Sequence, residues 1–70
     1  FPNPVNDVLT INARSSIDSI TVYNMLGQMI VRSTPNTKDS TVDMSEFQTG
    51  AYFLQVSIDN TLNTVRIIKN

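Results

Sequence analysis

The spacing of the apolar residues is the feature of this chain that most constrains its fold. Apolar residues recur at every second position, as in Leu9 and Ile11 or in Ile20 and Val22. The longest such run places on one face Tyr52, Leu54, Val56 and Ile58. Because successive side chains of a β-strand point to opposite faces, this period predicts strands with one buried face rather than helices.

Strand-like segments of this kind occur at residues 8–12, 20–23, 29–33, 40–44, 52–58 and 64–68. Turn-forming residues lie between them. Gly27 ends the sequence Asn-Met-Leu-Gly and can adopt the left-handed conformation that closes a four-residue hairpin loop. Asp59-Asn60-Thr61 predicts a second hairpin, between the last two strands. The sequence therefore predicts an all-β fold, a small antiparallel β-sandwich of about six to seven strands.

The length of the chain, 70 residues, allows a single domain. The sequence contains no cysteine, so disulfide bonds cannot compensate for the small core that a chain of this length buries. Apolar burial and sheet hydrogen bonds must hold the fold, and we expect truncation to destabilise it. The sequence begins at Phe1-Pro2-Asn3-Pro4 rather than at an initiator methionine, so we expect it to be cut from a longer polypeptide.

The charged residues argue against a nucleic-acid partner. Five basic and six acidic residues are scattered along the chain and give a net charge of −1. Binding to phosphates needs clustered Lys and Arg that displace counterions. The apolar stretches are also far shorter than the ~20 residues that span a bilayer. The sequence thus predicts no nucleic-acid binding and no direct membrane span.

The residue types that carry most catalysis are missing. There is no histidine and no cysteine, which removes the commonest general base, the thiolate nucleophile and the soft zinc ligands. Asp39 and Asp43 flank a predicted strand, where we expect solvated surface charges. With two glycines, Gly27 and Gly50, the phosphate-binding glycine motifs are excluded, and no calcium-loop pattern is present. We expect no enzyme activity, cofactor or metal site in this segment.

Ligand binding on an aromatic face is an alternative function. Tyr23, Tyr52 and Phe53 are the candidates for an accessory sugar-binding or adhesion module. Tryptophan is absent, and aromatic residues in short strands more often pack in the core. A structural capping domain of an extracellular enzyme is a third possibility.

Five blocks of sequence, taken in order, resemble a known family across essentially the whole chain. The blocks are Phe1-Pro2-Asn3-Pro4, Leu9-Thr10-Ile11, Val22-Tyr23-Asn24-Met25-Leu26-Gly27-Gln28, Asp43-Met44-Ser45 with Phe47, Gly50 and Tyr52, and Arg66-Ile67-Ile68-Lys69. Each block alone is common, but the ordered series resembles the type A C-terminal sorting domain of the type IX (Por) secretion system.

The resemblance implies an immunoglobulin-like sandwich at the C-terminus of a cargo protein. Such cargo reaches the periplasm of a Gram-negative bacterium by an N-terminal signal, and the sorting domain then directs it through the outer membrane to the cell surface. The implied partners are the translocon and a sortase-like cysteine protease, which typically removes the domain as the cargo is joined to an anionic lipopolysaccharide. The cut should fall at or before Phe1.

The residues of these blocks divide into structural and recognition candidates. Pro2 and Pro4 should stiffen the approach to the first strand, Gly27 and Gly50 should occupy turns, and the Tyr52 hydroxyl should find a partner at the sheet edge. We therefore regard as structural the residues Pro2, Asn3, Pro4, Gly27, Gly50 and Tyr52.

The terminal strand is where we expect recognition. Val65 and Ile67 should be enough to pack this strand against the core. Its other residues are then free for main-chain pairing and side-chain contacts with a partner. The recognition candidates are Arg66, Ile68, Lys69 and the final Asn70; the alternative is a solvated edge that its charges protect.

Overall fold

The structure, a computed structural model, describes residues 3–70, and within that range it is all-β. Phe1 and Pro2 lie outside the described residues, and so does the stiffening role expected of Pro2. Six strands follow one another along the chain: β1 (Val8–Asn12), β2 (Ile17–Tyr23), β3 (Met29–Ser33), β4 (Asp39–Asp43), β5 (Gly50–Ile58) and β6 (Thr61–Lys69). The predicted all-β class is confirmed.

The strands form two antiparallel sheets. The larger sheet has four strands in the order β3-β2-β5-β6, and the smaller sheet is the pair β1-β4. Each sheet buries one face against the other, as the period of two predicts. The result is the small sandwich expected from the sequence.

The core lies between the two sheets and is formed mainly by apolar side chains. On β5, Tyr52, Leu54 and Val56 alternate with half-buried residues. The buried apolar residues are Val5, Leu9, Ile17, Ile20, Val22, Val42, Met44, Tyr52, Leu54, Val56 and Ile67. Burial of such side chains contributes about 1.5–3 kcal/mol each, which is the main favourable term in a chain without disulfides.

Two tight hairpins connect the strands of the larger sheet. Between β2 and β3, Gly27 has φ +82°, the left-handed region expected for it. The Asn24 side chain stabilises this loop, since its Oδ1 accepts hydrogen bonds from the backbone N–H groups of Leu26 (2.9 Å) and Gln28 (3.0 Å). Between β5 and β6, Asp59 and Asn60 both have positive φ, 50° and 61°. Two such residues are what a two-residue type I′ hairpin needs, so both predicted hairpins are confirmed.

Candidate recognition surface on the terminal strand

Strand β6 presents its residues alternately to the core and to the outer face of the larger sheet. Ile67 pairs with Tyr52 and both are buried, whereas Arg66 pairs with Phe53 and Ile68 pairs with Ala51. Cross-strand partners share a face. Arg66, which is exposed, and Ile68, which is half-buried, therefore lie on the outer face, away from the core.

Lys69 does not lie on the outer face with Arg66 and Ile68. The expectation that the core does not need its side chain was wrong. It shares the core-side alternation of Ile67 and is only 7% exposed. Its Nζ donates a hydrogen bond to the carbonyl oxygen of Asn70 at 2.8 Å. The aliphatic stem is thus buried while the ammonium group reaches a polar partner at the chain end, as long cationic side chains commonly do.

The expectation that Val65 packs the terminal strand was also wrong. Val65 is 49% exposed, because the two strands of the smaller sheet cannot cover the core face of all four strands opposite. It borders an open groove of about 380 Å³, lined mainly by apolar side chains: Leu9, Ile11, Leu54, Val56, Val65 and Ile67. Of the two residues expected to pack β6, Ile67 alone is buried.

The outer edge of β6 is partly covered by the start of the chain. Val5 forms a parallel bridge with Lys69, donates its N–H to the carbonyl of Ile68 (2.7 Å) and accepts the N–H of Asn70 (2.8 Å). Asn3 adds two bonds, because its Oδ1 accepts the N–H of Ile68 (3.0 Å) and its Nδ2 donates to the carbonyl of Arg66 (3.3 Å). The first and last blocks of the sequence therefore meet in space.

Asn70 completes this contact. It is exposed, but its Nδ2 donates to Oδ1 of Asn6 at 3.2 Å. We call residues 3–6, which cover the outer edge of β6 from Arg66 to Asn70, the N-terminal clamp. Sequence reasoning missed Val5 and Asn6, since an isolated apolar residue before the first strand carries no periodic signal.

A row of larger side chains crosses the outer face beside Arg66. Met29, Tyr23, Phe53 and Arg66 are successive cross-strand partners on β3, β2, β5 and β6. Tyr23 and Phe53 are half-buried there, whereas Tyr52 is buried on the opposite face. The three aromatic residues proposed for a sugar-binding face therefore do not form one platform.

The structural candidates have local roles. The Tyr52 hydroxyl donates to the carbonyl of Gln48 at 2.7 Å, and its ring lies 5.3 Å from that of Phe47. Gly50 begins β5 with φ +149°, a conformation that side chains disfavour. Pro4 is exposed between the clamp residues Asn3 and Val5. The Tyr52 hydroxyl has the partner expected for it, whereas Gly50 is the first residue of a strand, paired with Lys69, and does not lie in a turn as expected.

Asp43, one of the two acidic residues that flank the predicted strand, caps the turn after β4. Asp39 and Asp43 are exposed, as expected. Asp43 Oδ1 accepts the backbone N–H of Ser45 at 3.0 Å, and hydrogen bonds from the Ser45 backbone and side chain hold the pKa of Asp43 below its ordinary value. Among residues 3–70, no three His, Cys, Asp or Glu side chains come together as metal ligands. The same residues include no helix long and apolar enough to cross a membrane.

The described residues form a small all-β module in which the two ends of the chain contact each other. The whole chain, residues 1–70, matches the family described as the secretion system C-terminal sorting domain, and it belongs to this family of type IX secretion signals. A comparison with curated proteins gave no match. The domain is thus a non-catalytic tail that interacts with the secretion machinery and directs export to the cell surface or beyond.

Proposed function

We propose that residues 1–70 are the sorting domain of a larger cargo protein and that the secretion machinery recognises the outer face of the terminal strand. The observation that supports this is the alternation of buried residues and outer-face residues along β6. Ile67 and Lys69 are buried, whereas the intervening Ile68 and the preceding Arg66 point to the outer face, and neither belongs to the core cluster. A basic and an apolar side chain are thus presented together at the end of the domain.

The family suggests the rest of the route. An N-terminal signal takes the cargo to the periplasm of a Gram-negative bacterium, and the translocon carries it across the outer membrane. A sortase-like protease then removes the domain and the cargo is attached to an anionic lipopolysaccharide. Cleavage at or before Phe1 is consistent with the contacts of Asn3 and Val5, since it leaves the whole clamp within the released domain.

A reporter fusion tests the recognition surface. The 70 residues are fused to a periplasmic reporter in a host with a type IX system, and Arg66 and Ile68 are both replaced by Thr, which suits a strand. Loss of two contacts at a recognition hot spot should lower export by about tenfold or more, equal to ~1.4 kcal/mol of binding free energy.

The matched control is Arg14→Thr, which removes an exposed positive charge from a loop outside the terminal strand. It should be exported like the parent fusion. Normal export of the Arg66→Thr/Ile68→Thr variant, with an unchanged melting temperature, would show that the machinery recognises another surface.

A sugar-binding module is the second candidate, favoured by the pairing of Tyr23 with Phe53 on the outer face. Glycan-array binding that is lost in Tyr23→Ala would support it. If the segment is instead a capping domain, its removal should lower the melting temperature of the parent protein without changing the location of that protein.

A further inference from the structure

The edge of the terminal strand is a second surface that a partner could use, and in this structure the chain itself occupies part of it. Main-chain groups of Arg66, Ile68 and Asn70 point to the outer edge of β6, where they bond the N-terminal clamp. Because both main-chain groups of a residue in an antiparallel strand point the same way, those of Leu62 and Thr64 face the same edge. Within the described residues, no strand pairs with this edge at residues 61–65.

The clamp closes the edge mostly with side chains. Of its five hydrogen bonds, two are between main-chain groups, and three use the side-chain amides of Asn3, Asn6 or Asn70. Asn3 reaches β6 through its side-chain amide, and Val5 alone among residues 3–6 bonds β6 through main-chain groups, so the segment does not form a continuous ladder with β6. A partner strand could pair with the edge from Leu62 to Asn70 and would replace these bonds with a regular ladder.

The clamp is nevertheless closed at rest because Val5 anchors it. Val5 is fully buried (0% exposed) in the core cluster, whereas Asn3, Pro4 and Asn6 are exposed. Detaching the clamp must therefore expose one apolar side chain, while the exposed Asn3 contacts can open first. An open state of the same edge would therefore be less populated than the closed state.

We infer that residues 3–6 are an autoinhibitory clamp: the secretion machinery pairs a strand with the outer edge of β6, and it does so only when the clamp has detached from residues 66–70. This inference rests on the proposed recognition of the terminal strand and adds main-chain pairing to it. A partner that binds only the open state has its apparent affinity reduced by the fraction of molecules that are open.

The first test loosens the clamp. Asn3→Ala removes both side-chain bonds to β6 and should raise the rate of reporter export about twofold or more, because the open fraction rises. Hydrogen exchange gives an independent readout, since the Ile68 amide should exchange faster while the Leu54 amide stays protected. Asn12→Ala, which removes an exposed Asn side chain of β1, outside both the clamp and β6, is the matched control and should change neither result.

The second test locks the clamp. Asn6 and Asn70 directly follow the bridged pair Val5 and Lys69, and their side chains meet, so a cysteine pair, Asn6→Cys/Asn70→Cys, should form a disulfide in a chain that has no other cysteine. The oxidised form should be exported about tenfold more slowly than the same variant treated with reductant, since the open state is removed. The parent fusion with and without reductant controls for effects of the reductant on the host.

Two results would overturn the inference. One is slower export of Asn3→Ala when the Leu54 amide remains protected, and the other is equal export of the oxidised and reduced cysteine variant. If either occurs while Arg66→Thr/Ile68→Thr still blocks export, the clamp mechanism fails and the proposed function stands. If Arg66→Thr/Ile68→Thr is exported normally, the proposed function fails, and the clamp mechanism fails with it.

Discussion

A substitution of Lys69 tests which residues of the terminal strand pack in the core and which are available to a partner. Its side chain is 7% exposed and hydrogen-bonded to the carbonyl of Asn70. Replacement by Ala removes three methylene groups, worth about 0.8 kcal/mol each when buried, and a hydrogen bond worth about 1 kcal/mol. The side-chain entropy regained, about 1.5–2 kcal/mol for lysine, offsets roughly half of this. We expect Lys69→Ala to lower the free energy of unfolding by about 1.5 kcal/mol.

The melting temperature reports this loss directly. A domain of this size loses about 4–8 °C per kcal/mol, so Lys69→Ala should melt about 6–12 °C below the parent domain in a circular dichroism scan. Lys69→Met keeps an aliphatic stem and should recover most of the loss. Arg66→Ala, on the outer face of the same strand, is the control and should melt close to the parent. If Lys69→Ala melts with the parent, Lys69 is not part of the core, and the reasoning from its burial is refuted.

Three further substitutions test local features by chemical denaturation. Gly27→Ala forces a side chain into the left-handed region and should cost about 1–2 kcal/mol; an unchanged denaturation midpoint would contradict the positive φ. Tyr52→Phe removes the bond to Gln48 and should cost about 1 kcal/mol, and a neutral result would mean that water replaces this bond without loss. The lowered pKa of Asp43 stabilises the folded state above the unfolded pKa, and this contribution is lost as the pH falls below about 4. Asp43→Asn should therefore flatten the acid side of the stability curve measured by urea titration, and an identical pH dependence in both proteins would exclude this role.

The period of two predicted most of the fold because it directly reflects burial on one face. It located β5 with its row of Tyr52, Leu54 and Val56, and the turn residues located both hairpins. It missed the start of β2, which begins at Ile17. A register shift between Ile17 and Ser19 places Ile17 and Ile20 in the core at a spacing of three. A bulge of this kind breaks the alternation that sequence reasoning depends on.

The candidate site was less predictable for a different reason. The terminal strand and the candidates Arg66 and Ile68 follow from the pattern, but Lys69 was grouped with them by its charge, although the alternation places it with Ile67. The core contact of Val5 joins residues more than sixty positions apart, with Val5 bonded to Ile68 and Asn70. A local sequence pattern cannot predict a contact between the chain ends, because that contact depends on how the sheets bring the ends together.

That contact changes how the family blocks are understood. As sequence, the opening Asn3-Pro4 and the terminal Arg66-Ile67-Ile68-Lys69 are separate blocks at opposite ends of the chain. In the fold, Asn3 bonds the main chain of both Arg66 and Ile68, so the two blocks form one surface. A substitution at Asn3 and a substitution at Arg66 or Ile68 should therefore not act independently on export. A double-mutant cycle between Asn3→Ala and Ile68→Thr should give an interaction energy of about 0.5 kcal/mol or more. Strict additivity in that cycle would mean that the opening block serves only the fold of the domain.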